Sequence, residues 1–191
     1  MSPLLLIALM LCASTLASAQ NIVRLSPTAQ AVATSDPTLS IDLEIDFAQT
    51  TVGGGVEITY DAARLRFDAF TFSDDPNFGL LGPAPGETLQ PLEIGFGWFS
   101  FPTSGVSGLH TVGTLTFVPL AEGQAIVQTG PSLIAPGQFF GPGSPSSPLV
   151  VDFEAASVHV VPEPTLSVAL CSGVVGLSSL VTRRRRVQRG A

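Results

Sequence analysis

Residues 39 to 47 read Leu-Ser-Ile-Asp-Leu-Glu-Ile-Asp-Phe, a strict alternation of apolar and polar side chains. A period of two is the signature of a half-buried β-strand. It predicts Leu39, Ile41, Leu43, Ile45 and Phe47 on a core face and Asp42, Glu44 and Asp46 in solvent. The three acids are not assigned as a metal site. Carboxylates two apart on one strand lack the wrapping loop that a hard cation such as calcium needs.

The same period returns along the chain. Gly53 to Gly55 read as a turn or bulge, after which Val56, Ile58 and Tyr60 alternate with Glu57 and Thr59. A break at Asp61-Ala62-Ala63 precedes a second alternation through Leu65, Phe67 and Ala69. Further strands are predicted at 92–96, 97–101, 112–118, 124–128 and 156–160. The stretches between them are rich in Gly, Pro, Ser and Asp, and no run of 12 or more residues carries a helical apolar stripe. GPGSPSSP, Gly141 to Pro148, reads as a surface excursion before the last strand, which should close a sheet. The fold class expected is all-β, an antiparallel sandwich or jelly roll.

Both ends of the 191-residue chain have a different character. An apolar stretch from Leu4 to Leu11 leads to Ala17-Ser18-Ala19 before Gln20, the layout of a signal peptide cleaved between Ala19 and Gln20, although no Lys or Arg precedes the stretch. Leu11 before Cys12 argues against a lipoprotein, where a small residue is needed. Thr165 to Thr182 form 18 residues without a charge, about 27 Å as a helix against a hydrocarbon core of about 30 Å. Arg183, Arg184, Arg185 and Arg186 would stop transfer and stay cytoplasmic. With both ends set aside, the middle has no cysteine and therefore no disulfide or thiol chemistry. Between Gln20 and Pro162 three arginines face fourteen carboxylates, a formal charge of −11. Such a domain would repel nucleic-acid phosphates, so no nucleic-acid partner is expected.

Catalytic constellations are sparse, and no enzyme activity and no cofactor are expected. His110 and His159 are the only histidines, too few for a metal site without added carboxylates. Ser107 in GVSGLH lacks the strand-to-helix turn of a nucleophile elbow. Asp61 with Asp68, or Asp74 with Asp75, could pair for glycoside hydrolysis, but they read more simply as turn formers capping loop amides. Trp98, the one tryptophan, sits in IGFGWFSFP. Facing outward it would be a stacking platform for a sugar ring; facing inward with Phe96 it would fill the core, the reading favoured. Phe139 and Phe140 read as a loop plug.

Val161-Pro162-Glu163-Pro164, followed by one span and four arginines, resembles the PEP-CTERM sorting signal of bacteria that make extracellular polysaccharide. That resemblance implies recognition by an exosortase and cleavage near Pro162-Glu163-Pro164. GGGVEITYDAARLRFDAF and GLHTVGTLTFVPLAEGQAIVQ are similar to segments of cohesin-like domains, which implies a nine-stranded jelly roll. No dockerin-contact residue can be matched. The organisation expected is a signal peptide at 1–19, a cohesin-like sandwich at 20–160, a sorting signal at 161–186 with its span at 165–182, and a cytoplasmic tail at 187–191. The leading functional expectation is an exported, membrane-anchored precursor, then a non-enzymatic cell-surface or extracellular matrix protein, whose sandwich mediates adhesion or protein interaction with another envelope protein. A carbohydrate-binding module acting on extracellular polysaccharide is the alternative, and a glycoside hydrolase the least supported.

Overall fold

The computed structural model of the chain describes residues 20–99, 105–133, 138–143 and 147–163. The expected signal peptide, the 165–182 span and Arg183 to Arg186 lie outside the described residues. Those residues hold eleven strands and no helix: β1 (Asn21–Ser26), β2 (Ala29–Ala33), β3 (Leu39–Thr51), β4 (Gly53–Tyr60), β5 (Leu65–Phe72), β6 (Phe78–Leu81), β7 (Leu92–Gly97), β8 (Val106–Pro119), β9 (Gly123–Pro131), β10 (Asp152–Phe153) and β11 (Ala156–Val161). They form a five-stranded sheet ordered β10-β1-β3-β8-β5 and a six-stranded sheet ordered β2-β11-β9-β4-β7-β6. Pairing is antiparallel except for β1 with β10 and β2 with β11, which are parallel. Two sheets are present as expected, with eleven strands where the resemblance implied nine.

The alternating segment becomes β3, with Ile41, Leu43 and Ile45 fully buried and Asp42, Glu44 and Asp46 on the outer face. It pairs with β8, whose Leu115 and Phe117 face the same core. Phe117 meets Phe67 of its own sheet and Tyr60 of the other, both edge-on, at ring distances of 5.9 and 5.2 Å. Burying one such side chain is worth about 1.5–3 kcal/mol, so this row carries much of the sandwich.

Three local expectations are corrected. Gly53 to Gly55 are neither turn nor bulge but strand, pairing with Gly97, Phe96 and Gly95 of β7. Gly54 is a glycine because the Phe139 ring lies where its side chain would be, its nearest atom 2.7 Å from the would-be Cβ. Gly53 also has φ of +142°, a region that penalises side chains. The strand expected at 97–101 ends at Gly97. Beyond it the side chain of Asn77 takes the place of a partner strand, receiving the Phe99 N–H at 2.8 Å and donating to the Phe99 carbonyl at 2.9 Å. Residues 100–104 lie outside the described residues. Finally, β1, β2, β6 and β10 have no counterpart among the predicted strands.

The loop after β9 returns Phe139 to the core, where it packs on Phe47 at 4.9 Å and Phe96 at 5.7 Å. Its neighbour Phe140 ties it down by accepting from the Val52 N–H and donating to the Gly53 carbonyl. The expected loop plug is therefore in place, and the chain passes on through β10 to β11.

Gly113 offers the cleanest test of this packing. A Cβ there would lie 2.4 Å from the Thr71 carbonyl oxygen and 2.6 Å from the Phe70 ring. Gly113→Ala should therefore destabilise the domain by about 1–3 kcal/mol. Gly141→Ala, where the nearest atoms are 3.7 Å away, should cost less than about 0.5 kcal/mol. Urea denaturation of both variants compares them directly.

Candidate functional site

The outer face of the five-stranded sheet carries the acids of β3. Arg24 on β1 lies between them, its Nε donating to Glu44 at 2.9 Å and its Nη1 3.8 Å from Asp46. That hydrogen bond raises the Arg24 pKa above its ordinary value. Asp42 accepts from the Thr114 hydroxyl at 2.6 Å. Each acid thus has a protein partner or open solvent. Among the described residues no three His, Cys, Asp or Glu side chains are grouped to hold an ion.

At the end of the sandwich where β8 begins, the two sheets bring together Trp98, His110 and Asp75. His110 Nδ1 lies 2.7 Å from Asp75 Oδ2, and Nε2 lies 3.1 Å from the Ser107 carbonyl oxygen. Ser107 meets the imidazole through its backbone, not its hydroxyl, so the three residues do not make a nucleophile, base and acid in line. Trp98, the candidate sugar platform, is 5% exposed. Its ring stands edge-on to Phe96 at 5.5 Å and beside His110 at 5.7 Å. The indole presents no open face, and among the described residues its Nε1 has no hydrogen-bond partner. The His110 contact was not legible in the sequence. A bulge at Val112 sets Glu44 opposite Thr111 and Ile45 opposite His110, turning His110 toward the core rim and leaving Leu109 exposed outside.

His159 stands on β11, outward and exposed, opposite Ala31 and Gln124. Asp61 is a turn former: its Oδ1 accepts from the Ala63 N–H, its carbonyl from Arg64 and Leu65, and its carboxylate pairs with Arg64. Asp68 uses its carbonyl oxygen to receive the Gly86 N–H at 2.7 Å.

The outer face of the six-stranded sheet offers a different surface. A shallow depression of about 340 Å³ is lined by Thr59, Tyr60, Asp61, Gln124, Ile126 and Gln128. It forms where β4 turns away at Asp61 while β9 runs on. Ile126 is 47% exposed at its centre, opposite Ser157 of β11, whose hydroxyl accepts from Gln124 at 3.0 Å. An apolar side chain ringed by amides and hydroxyls is the make-up of a protein contact surface more than of a catalytic cleft. At its β7 side Glu57 and Glu93 stand opposite one another.

Val161, first residue of the expected sorting motif, is the last of β11. It pairs with Ala33, and its carbonyl accepts from the Thr34 N–H at 3.1 Å. Pro162 and Glu163 follow directly, outside the sheet. Pro164 lies outside the described residues.

No known family's sequence profile matches the chain, and no curated protein matches it in sequence. Solved structures do match in shape. The seventh ScaB type I cohesin from Pseudobacteroides cellulosolvens superposes with a TM-score of 0.60 at 13% identity, covering 77% of this chain and 96% of the cohesin. A non-cellulosomal cohesin from the hyperthermophilic archaeon Archaeoglobus fulgidus gives 0.56 at 12% identity, covering 75% and 92%. The sixth cohesin of scaffoldin B from Acetivibrio cellulolyticus, solved in complex with a Cel5 dockerin, gives 0.51 at 14%, covering 74% and 99%. The chain has a cohesin-like β-sandwich fold.

Asp61 yields a pH prediction. The Arg64 guanidinium, then the Ala63 N–H, hold its carboxyl below the ordinary carboxylate value. A lowered value means the contribution to stability is present above the unfolded pKa and is lost as pH falls through the folded one. Asp61→Asn should therefore be less stable than the parent at neutral pH, with the gap closing on acidification below the ordinary Asp range. Denaturation midpoints measured across that range read the trend.

Proposed function

We propose that the protein is an exported, non-enzymatic cell-envelope or matrix component, sorted through a C-terminal PEP-CTERM signal, whose cohesin-like sandwich binds another envelope protein. The observation that carries this reading is the Ile126 depression on an open sheet face of a fold that, in the Acetivibrio protein, is found in complex with a dockerin. The signal peptide, the uncharged run and the arginine cluster support export and anchoring. Val161 to Pro164 is the label read by the exosortase, with Ala19–Gln20 as the signal cleavage site.

The face suits a protein partner. Its centre is apolar and its rim is amide and hydroxyl apart from Asp61, which is already paired with Arg64, so docking desolvates few unpaired charges. The acid-rich face of the five-stranded sheet would instead have to give up the hydration of several carboxylates. Trp98, the candidate sugar platform, is buried, which sets the carbohydrate-binding alternative behind.

Two outcomes are expected. Protein recovered from its own host's envelope and medium should end within Val161 to Pro164 by intact mass, with Thr165 to Ala191 gone. A chain still carrying Arg183 to Arg186 would make it a plain single-span protein. On immobilised protein, Ile126→Arg should cut capture of the envelope partner at least tenfold, the weight of one central contact worth more than about 1.4 kcal/mol. Ser40→Arg on the opposite face should leave capture intact. Equal capture by both variants would remove the face from the reading.

A further inference from the structure

Strand β10 is only two residues long because the chain before it belongs to the other sheet. Phe140 bridges to Gly53 of β4 and to Pro148, and the Gly141 and Leu149 N–H groups donate to the Ser147 and Phe139 carbonyls. By Asp152, opposite Ile22, the chain has crossed to β1 of the five-stranded sheet. The crossing leaves a cleft of about 490 Å³ beside the start of β1 and the end of β3. That size falls within the roughly 300–1,000 Å³ of small-ligand sites.

We infer that this cleft binds a neutral saccharide, a second function separate from the Ile126 face. Its frame is Asn21, a polar side chain only 5% exposed. Asn21 Nδ2 donates to Gln49 Oε1 at 3.0 Å and to the Val150 carbonyl at 2.9 Å, and Oδ1 accepts from the Gln49 N–H at 3.0 Å. An amide buried so far is costly unless its groups are paired, and this pairing fixes Gln49 by both its backbone and its side-chain oxygen. The two donors of Gln49 Nε2 are left to the cleft. In the same lining Gln20 Nε2 donates to Asp152 Oδ2 at 3.0 Å, which holds that carboxylate while its Oδ1 remains an acceptor. Ser147, also in the lining, carries a hydroxyl that can do both.

These groups select the ligand by their chemistry. Every sugar hydroxyl both donates and accepts, so a ring bearing several of them matches amide donors and a carboxylate acceptor held in one cleft. The Val150 side chain, 86% exposed at the rim, offers aliphatic contact to the C–H groups of the ring. Among the described residues no cation lines the cleft. The domain between Gln20 and Pro162 carries a formal charge of −11, so uronic acid, sulfate and phosphate groups are repelled. A peptide suits the cleft less, because its backbone gains most from an open strand edge, and β10 has only two residues. With no aromatic ring among the described lining residues, affinity comes from hydrogen bonds and not from stacking.

The test presents the full chain, held in a detergent without a sugar headgroup, to an array of neutral hexose, pentose and N-acetylhexosamine glycans. Uronic-acid glycans, sulfated glycans and unstructured neutral peptides are printed beside them. The expected result is binding to at least one neutral glycan, reversed by the same oligosaccharide in solution, and none to the anionic glycans. Gln49→Glu keeps an oxygen for Asn21 but replaces the donors, and Asp152→Asn keeps an oxygen for Gln20 but removes the charge. Each should weaken binding at least about tenfold while the circular dichroism spectrum stays that of the parent. In isotope-labelled parent protein the Gln49 side-chain amide signals should move as the glycan is added. A chain that binds no neutral glycan, that binds only the anionic glycans or the peptides, or that binds as tightly in both variants overturns the inference. None of these outcomes bears on the Ile126 face or on sorting, which are read by partner capture and by the C-terminal mass.

Discussion

The antiparallel pairing of β3 with β8 is the constraint from which the rest of the sandwich follows. It runs from Leu39 opposite Phe117 to Thr51 opposite Val106 and occupies the middle of the five-stranded sheet. With the core row of one strand against that of the other, β1 and β5 have only the two flanks to occupy. The inner surface so made is continuous and apolar, and it cannot be left in water. Covering it requires a second sheet, and Phe117 meeting Tyr60 is the point where that sheet is gripped.

This constraint was legible because β3 writes its burial pattern without interruption. Ile41 and Asp42 have opposite solvation, and only period two satisfies both along the run. β2, Ala-Gln-Ala-Val-Ala, carries almost no such contrast, so nothing in its residues marks it as a strand. Its place comes from β11 alone. In β1 an exposed-side Ile22 and a buried Asn21 blur the alternation. Asn21 is inside because its amide bonds to Gln49 and to the Val150 carbonyl, partners 28 and 129 residues away. The glycines at 53 to 55 read as a turn because a glycine run gives no sign of which ring will cover it. Here the ring is Phe139, far along the chain. The Val112 bulge is likewise invisible locally, yet it decides that His110 and not Leu109 faces Trp98.

What the candidate sites became follows from the same register. His110, Asp75 and Trp98 gather where the sheets meet, and there the imidazole and the carboxylate are spent on each other and on backbone while the indole ring packs beside the imidazole. Ser107 lends a carbonyl where catalysis would need its hydroxyl. The acids of β3 are divided among Arg24, Thr114 and water. The Ile126 depression lies where β4 ends short of its neighbour, so it depends on the Asp61 turn and its Arg64 pair more than on any one motif. A reader of the sequence sees Asp-Ala-Ala-Arg as a break between strands. In the fold it is also the wall of the surface best suited to a partner.

The acidity of the domain then limits how it can meet a membrane. Between Gln20 and Pro162 it holds three arginines against fourteen carboxylates. Arg24 and Arg64 are both engaged with acids of their own. No basic patch remains to draw the sandwich onto anionic lipid, and attraction of that kind is worth about 1 kcal/mol for each basic residue near the surface. On the proposed reading, membrane association comes from the chain's covalent continuation and not from the fold. β11 ends at Val161, the first residue of the proposed sorting label, so the last strand and that label share a residue of backbone. On the proposed reading the position of the last strand bears on sorting as directly as the label does.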